Sequence, residues 1–241
     1  MSETVQTIAD RLSDECGLPR YSNIFGNSEV NARKILNAIK DGLFVDAYRD
    51  RDWEMLKKED TITLTGGGVT TYALADDFER LVNGTLWDET DYCQVRGPVD
   101  VREWQEFNKG LAQLAGLELV CRIQGDSTTN KKVISFYPDT TASTVVSYYY
   151  ISSKPVLSSG SVAKDSITSS DDWFIVPDRV VYAAAKWRLL RMLGMSFQDE
   201  RLEYMSLLDD YAANDSGGKK IRMDRKLKYD IANIPEVGFG S

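Results

Sequence analysis

The sequence predicts an α+β protein. A helical domain is built from the N- and C-terminal helices, a β-rich module of sandwich or barrel-like form is inserted between them, and an extended C-terminal tail follows. Apolar residues recur at helical spacing near both ends, whereas the middle carries β-branched and aromatic runs separated by turn residues. We predict that residues 1–59 and 171–216 form the helical domain, 60–170 the insert and 217–241 the tail.

The helical prediction starts at the N-terminus, where apolar residues follow 3- and 4-residue steps between Val5 and Cys16. Gly17 and Pro19 end this first helix. A second apolar stripe runs from residue 30 to residue 47 and is interrupted by Gly42. Glycine costs a helix about 1 kcal/mol relative to alanine, so we expect a packing need at this position.

The central strands are predicted from three runs, LELVCRIQG, KKVISFYP and STVVSYYYISS. Upstream, TITLT and TTYAL flank the glycines at 66–68, which predicts a strand pair around a glycine turn. These glycines lack the GK[ST] sequence that a phosphate-binding loop requires. After the strands, Pro177 and Gly194 bound a C-terminal helix, and a further helix follows.

The composition excludes most classes of enzyme site, because the 241 residues include no histidine. Chemistry that depends on carboxylates alone, or on a Ser–Lys pair, survives this test. Cys16, Cys93 and Cys121 form no CxxC pair and are interpreted as reduced, buried thiols. We therefore expect no catalytic residue, no cofactor and no metal site.

Three acidic pairs could still serve a glycan hydrolase, which needs two carboxylates facing each other across a cleft. They are Asp76 with Asp77, Asp171 with Asp172, and Asp209 with Asp210. The first two pairs lie at predicted turns or helix starts, where carboxylates cap backbone N–H groups. The third lies on the polar side of the last helix. Capping and solvation explain all three, and a carboxylate-dependent cell-wall hydrolase stays as an alternative.

The charge is distributed unevenly along the chain, whose formal net charge is −8. Residues 219–230 carry six basic and two acidic side chains, a net charge of +4, so the remainder carries −12. Apolar residues are interspersed through this basic segment. The pattern fits either a solvated extension or a segment that becomes ordered on a partner. No run reaches the ~20 apolar residues that a membrane-spanning helix needs.

Several motifs resemble those of the head-to-tail adaptor, or connector, proteins of tailed bacteriophages, in particular the podovirus tail-tube type. TTYALADDFERLVNGTLWD resembles their Tyr-x-Leu-Pro-x-Asp-Phe and Gly-Thr-x-Trp elements, and Ala75 replaces the usual proline. RGPVDVREWQEF and VPDRVVYAAAKWRLLRMLG resemble further elements of the family. The matching residues are Tyr72, Leu74, Asp77, Phe78, Gly84, Thr85, Trp87, Arg96, Pro98, Glu103, Trp104, Lys186, Trp187, Arg188 and Gly194.

The resemblance implies a structural subunit of a homo-oligomeric ring, typically of twelve copies, at the head–tail junction of a virion assembled in the host cytoplasm. The expected partners are the portal protein, a tail or nozzle protein, and duplex DNA that passes through the lumen. The C-terminal extension is expected to dock on portal through Lys219, Lys220, Ile221, Arg222, Arg225, Lys226, Leu227, Lys228, Tyr229 and Ile231. Another virion neck or tail-completion protein remains an alternative.

Overall fold

The computed structural model describes residues 3–68, 70–109, 119–126, 131–139 and 143–215. The architecture is α+β, with helices at both ends of the chain and antiparallel sheets between them. The helices are α1 (Val5–Glu15), α2 (Val30–Asp41), α3 (Tyr48–Asp50), α4 (Val101–Lys109), α5 (Asp178–Leu193) and α6 (Gln198–Asp215).

One hydrophobic core is formed by helices from the two ends of the chain, α1 and α2 with α5 and α6. The hydroxyl of Thr4 caps α1 by accepting the N–H of Thr7. Helix α2 continues through a π-helical turn (Gly42–Ala47) into α3. Helix α5 is buried over most of its surface, as expected for a helix surrounded by others, and Gly194 ends it in the left-handed conformation.

Gly42 lies where this π-helical turn meets the backbone of α5. A Cβ atom at Gly42 would lie 2.8 Å from the Ala185 nitrogen and 3.1 Å from the carbonyl carbon of Ala184. Both distances are below ordinary van der Waals contact, and neither atom belongs to a flexible side chain. The packing need expected from the sequence is therefore confirmed.

The largest sheet has five strands, and all but its edge strand β5 join a central strand, β8. Strand β8 pairs along its length with β1 on one side, and with β3 and β4 on the other. Strand β4 also pairs with β5. The strands are β1 (Lys57–Leu64), β3 (Phe78–Leu81), β4 (Trp87–Asp88), β5 (Cys93–Gln94) and β8 (Thr144–Ser152).

A second sheet has three strands in the order β2-β7-β6, with β2 at Thr71–Ala73, β6 at Val120–Gly125 and β7 at Lys132–Tyr137. The predicted strand pair around the glycines at 66–68 is wrong. Strand β1 pairs with β8, and β2 pairs with β7 in this other sheet. Alternating apolar residues identify a strand but not its partner, which here lies at least 60 residues away for both β1 and β2.

The two larger sheets share a second hydrophobic core, which includes Phe136, Tyr148 and Tyr150. A third, small sheet instead packs on the helical core through Val156 and Phe174. Its strands are β9 (Val156–Leu157), β10 (Ala163–Lys164) and β11 (Trp173–Phe174). The sandwich or barrel-like form and the domain bounds at residues 60 and 170 stay predictions.

Candidate functional site

The basic tail that the sequence singled out lies outside the described residues, so the structure places none of the predicted portal-docking side chains. It does show where the chain leaves the described fold. The Asp215 carboxylate, in the last turn of α6, accepts the Glu54 N–H at 2.7 Å. One turn and a half earlier, Asp209 forms an ion pair with Arg51. The described part of the chain therefore ends beside the segment that connects α3 to β1.

The first family motif forms a buried polar network at the end of the large sheet. The Asp77 carboxylate accepts the hydroxyls of Tyr150 and Ser152, each at 2.7 Å, and the ammonium of Lys58. Burial by itself raises the pKa of this carboxyl, but the hydrogen bonds from these three donors outweigh it and lower the pKa to about 2. The sequence predicted that the Asp77 carboxylate caps backbone N–H groups, whereas its hydrogen-bond partners among the described residues are side chains.

Phe78, the next residue of the motif, packs its ring against two tyrosines of β8. The ring centroids lie 5.6 Å from Tyr150 and 6.3 Å from Tyr148. All three rings are buried in the β core. Asp77 and Phe78 thus join β3 to β1 and β8, Asp77 through hydrogen bonds and Phe78 through aromatic contacts. Both residues therefore have a structural role.

The Gly-Thr-x-Trp element turns the chain from β3 to β4 beside β8. Gly84 has a φ of +75°, a conformation that glycine adopts without cost. The Thr85 hydroxyl donates a hydrogen bond to the Val82 carbonyl at 2.6 Å, and its oxygen accepts one from the Tyr149 N–H at 3.2 Å. This hydroxyl therefore bridges the turn to the central strand. Trp87 follows with 45% of its surface exposed.

The second motif, RGPVDVREWQEF, holds the start of α4 against the three-stranded sheet formed by β2, β7 and β6. Arg96 forms an ion pair with Glu103 at 2.5 Å and lies over the Phe107 ring. The Asp100 carboxylate accepts the Glu103 N–H at 2.8 Å, which caps the predicted helix start. Gly97, with a φ of +129°, leaves no room for a Cβ beside the Cys121 carbonyl. These contacts again explain the motif by packing.

The third motif connects α5 to the other helices of the helical core. Lys186 pairs with Glu15 of α1 at 2.9 Å. The Arg188 guanidinium donates twice to the Asp46 carboxylate, at 2.6 and 2.7 Å, and this pair is mostly buried. Trp187 packs against Phe197, which precedes α6. Three consecutive side chains thus contact three different parts of the bundle.

Arg188→Lys is expected to lower the free energy of unfolding by about 1–2 kcal/mol, because an ammonium cannot reproduce the paired hydrogen bonds to Asp46. Arg191→Lys, at an exposed position of the same helix, is the matched control and should change stability by less than about 0.5 kcal/mol. Urea denaturation of both variants measures the difference. Equal effects at the two positions would contradict a specific role for the guanidinium.

Comparison with known protein families agrees with these motifs. The sequence model of the family described as SU10 adaptor protein matches residues 2–226, nearly the whole chain. The chain belongs to the SU10 adaptor protein family. The expected resemblance to phage head-to-tail adaptors is thereby confirmed. A search of curated proteins found no significant match to this family member.

Each acidic pair of this SU10 adaptor has at least one member with a structural role, as described above for Asp77 and Asp209. The buried Asp172 carboxylate accepts the N–H groups of Thr168 and Ser169 and pairs with Lys164 at 2.7 Å. Burial raises the pKa of Asp172, but these hydrogen bonds outweigh it and leave the pKa lowered. Asp76 is exposed and pairs with Lys131. Within the described ranges, no cluster of acids or cysteines could hold a metal ion.

One surface of the family member was not anticipated from its sequence. Trp87 lies opposite Ser147 across the sheet, and Tyr149 is two residues from Ser147 on the same strand. Trp87 and Tyr149 therefore share the outer face of the five-stranded sheet, and both are exposed. The alternation in SYYYIS is the signal that assigns Tyr149 to the opposite face from Tyr148 and Tyr150.

None of the helices in the described part of the chain is long and apolar enough to cross a lipid bilayer.

Proposed function

We propose that this chain is a structural ring subunit at the head–tail junction of a tailed phage, assembled in the host cytoplasm. Twelve copies form a ring beneath the portal protein, and the ring continues the DNA channel and docks a tail or nozzle protein. Membership of the SU10 adaptor family is the observation that carries this proposal. The family motifs support it, since every one that the structure describes is used for packing or hydrogen bonding.

Portal binding is assigned to the tail, with its basic residues as electrostatic partners and its apolar residues as anchors. Lys219, Lys220, Arg222, Arg225, Lys226 and Lys228 supply the charge, and Ile221, Leu227, Tyr229 and Ile231 supply the apolar contacts. A segment of this composition gains most of its binding energy by burying the apolar side chains, while the charges steer it to an acidic surface.

In such a ring, the acidic body of the chain has a function in DNA passage. Residues outside the basic tail segment carry a net charge of −12. A lumen of that sign repels phosphate, so duplex DNA passes without adhering, whereas a basic wall would bind it. The exposed face that carries Trp87 and Tyr149 is suited to protein contacts, because these side chains are enriched at interfaces. No catalytic step is part of the proposed function.

Deleting residues 219–241 is expected to leave a folded protein and to abolish joining to portal. Electron microscopy of the purified protein, alone and mixed with portal, measures ring formation on the portal. Two full-length variants separate the contributions of charge and of apolar contacts to portal binding. One replaces the six basic residues with glutamine, and the other replaces the four apolar anchors with alanine. Normal assembly of the truncated chain with portal would overturn the tail assignment. A ring seated on another neck component would favour a tail-completion protein instead.

A further inference from the structure

An open apolar groove lies between the helical core and the small third sheet. Its volume is about 400 Å³, and its walls include Met55, Leu157, Trp173 and Ile175. Met55 is 70% exposed, which is unusual for a long apolar side chain beside other apolar residues. Of the family motifs identified above, only the third contributes to this groove, through its first residues Val176, Pro177 and Asp178.

An acidic side chain lines the groove. Asp178 lines the groove, and its Oδ2 accepts the Glu3 N–H at 2.8 Å. The other carboxylate oxygen, Oδ1, is buried and has no hydrogen-bond partner among the described residues. A carboxylate that lines an apolar groove attracts a positively charged side chain. The groove therefore fits a peptide that combines apolar side chains with a positive charge.

The tail of the same chain has this composition, and the described part of the chain ends next to the groove. Asp215, the last described residue, accepts the N–H of Glu54, the residue before Met55. Ser216, Gly217 and Gly218 come next in the sequence, which then reads Lys-Lys-Ile-Arg-Met. Residue 221 lies six residues beyond Asp215, a reach of at most about 20 Å.

We propose that residues 219–223 occupy this groove in the free subunit, with Ile221 and Met223 against its apolar wall and a basic side chain beside Asp178. The occupant is the chain's own tail rather than that of a neighbouring copy, because a short tether gives an effective concentration on the order of millimolar. The tail is then covered until a stronger site displaces it. This inference concerns the free subunit and does not rest on portal binding.

Disulfide trapping tests the proposal on the full chain. Met55→Cys with Met223→Cys is compared with Met205→Cys plus Met223→Cys, in a background where Cys16 and Cys93 are serine. Met205 is an exposed methionine of α6 that the tail can also reach, so it is a matched control. With oxidised glutathione, we expect the Met55 pair to form the intramolecular disulfide at least about tenfold faster. Similar rates for the two pairs, or mainly disulfide-linked dimers, would overturn the proposal.

Trypsin accessibility provides a second measurement that needs no cysteine. Cleavage after Lys219, Lys220 and Arg222 should be slow when these residues lie in the groove. Met55→Lys places a positive charge against the basic tail and is expected to speed this cleavage severalfold, whereas Met205→Lys should leave it unchanged. Unchanged cleavage in Met55→Lys would contradict groove occupancy. Loss of portal joining in the truncated chain is a separate result, so the two proposals can fail independently.

Discussion

Replacing Asp77 by alanine is expected to lower the free energy of unfolding by about 3 kcal/mol, which guanidinium denaturation at neutral pH would measure. The substitution removes the common acceptor of the Tyr150 and Ser152 hydroxyls and of the Lys58 ammonium. Tyr150 and Ser152 are buried, so their hydroxyls cannot exchange this acceptor for bulk water without opening the sheet end.

Asp76→Ala is the matched control for this prediction. Asp76 is the neighbouring carboxylate, but its side chain is exposed and pairs with the exposed Lys131. Exposed ion pairs contribute little, so the expected loss is below about 0.5 kcal/mol. Equal losses for the two substitutions would show that the buried network does not stabilise the sheet as the contacts indicate.

The same carboxylate predicts a dependence of stability on acid. The pKa of Asp77 falls from 3.8 to about 2 on folding, so the unfolded chain binds the proton more tightly. The stabilisation from its ionised form is therefore complete above about pH 4 and is lost as the pH falls towards about 2. Over that interval, the stability difference between wild type and Asp77→Asn should shrink by about 2 kcal/mol. A difference that stays constant would contradict the lowered pKa.

Gly42→Ala is expected to lower the free energy of unfolding by about 2 kcal/mol, because the added methyl group would meet the backbone of α5. The backbone at Gly42 is already helical, with a φ of −60°, so the substitution carries no conformational strain. In a helix with free space, the same change would stabilise by about 1 kcal/mol. The sign of the measured effect therefore reports the close approach directly.

Gly125→Ala is the control for Gly42, since a Cβ at Gly125 meets nothing within 4 Å and the residue has no positive φ. We expect a change of less than about 1 kcal/mol there in the same denaturation experiment. An increase in stability for Gly42→Ala would mean that α5 can move away from the π-helical turn without loss.

Local signals in the sequence predicted the helices well. The 3- and 4-residue spacing of α1 and the bounds of α5 at Pro177 and Gly194 are all found in the structure. These features act within one or two turns of helix, so adjacent residues suffice to specify them. The packing need at Gly42 could also be inferred, because a glycine inside an amphipathic helix is costly without one.

Long-range features could not be read in the same way. The strand around Ile62 and the strand at Tyr72 were each recognised, but their pairing depends on chain segments at least 60 residues away. The Asp77 network required Tyr150 and Ser152, whose proximity no local pattern indicates. For the candidate site, composition identified the basic tail, whereas the groove beside it became visible only in three dimensions.

The dual use of β8 determines when this protein can fold during synthesis. Its tyrosines Tyr148 and Tyr150 belong to the β core, while Ile151 is buried in the helical core. Strand β1 cannot pair with β8 until about 80 further residues have been synthesised. Helix α2 cannot pack against α5 until a still longer stretch of chain has been made. Such high contact order slows folding. A ribosome-bound chain that ends before α5 therefore exposes apolar faces of α1 and α2. The helical core forms cooperatively only after α5 has emerged.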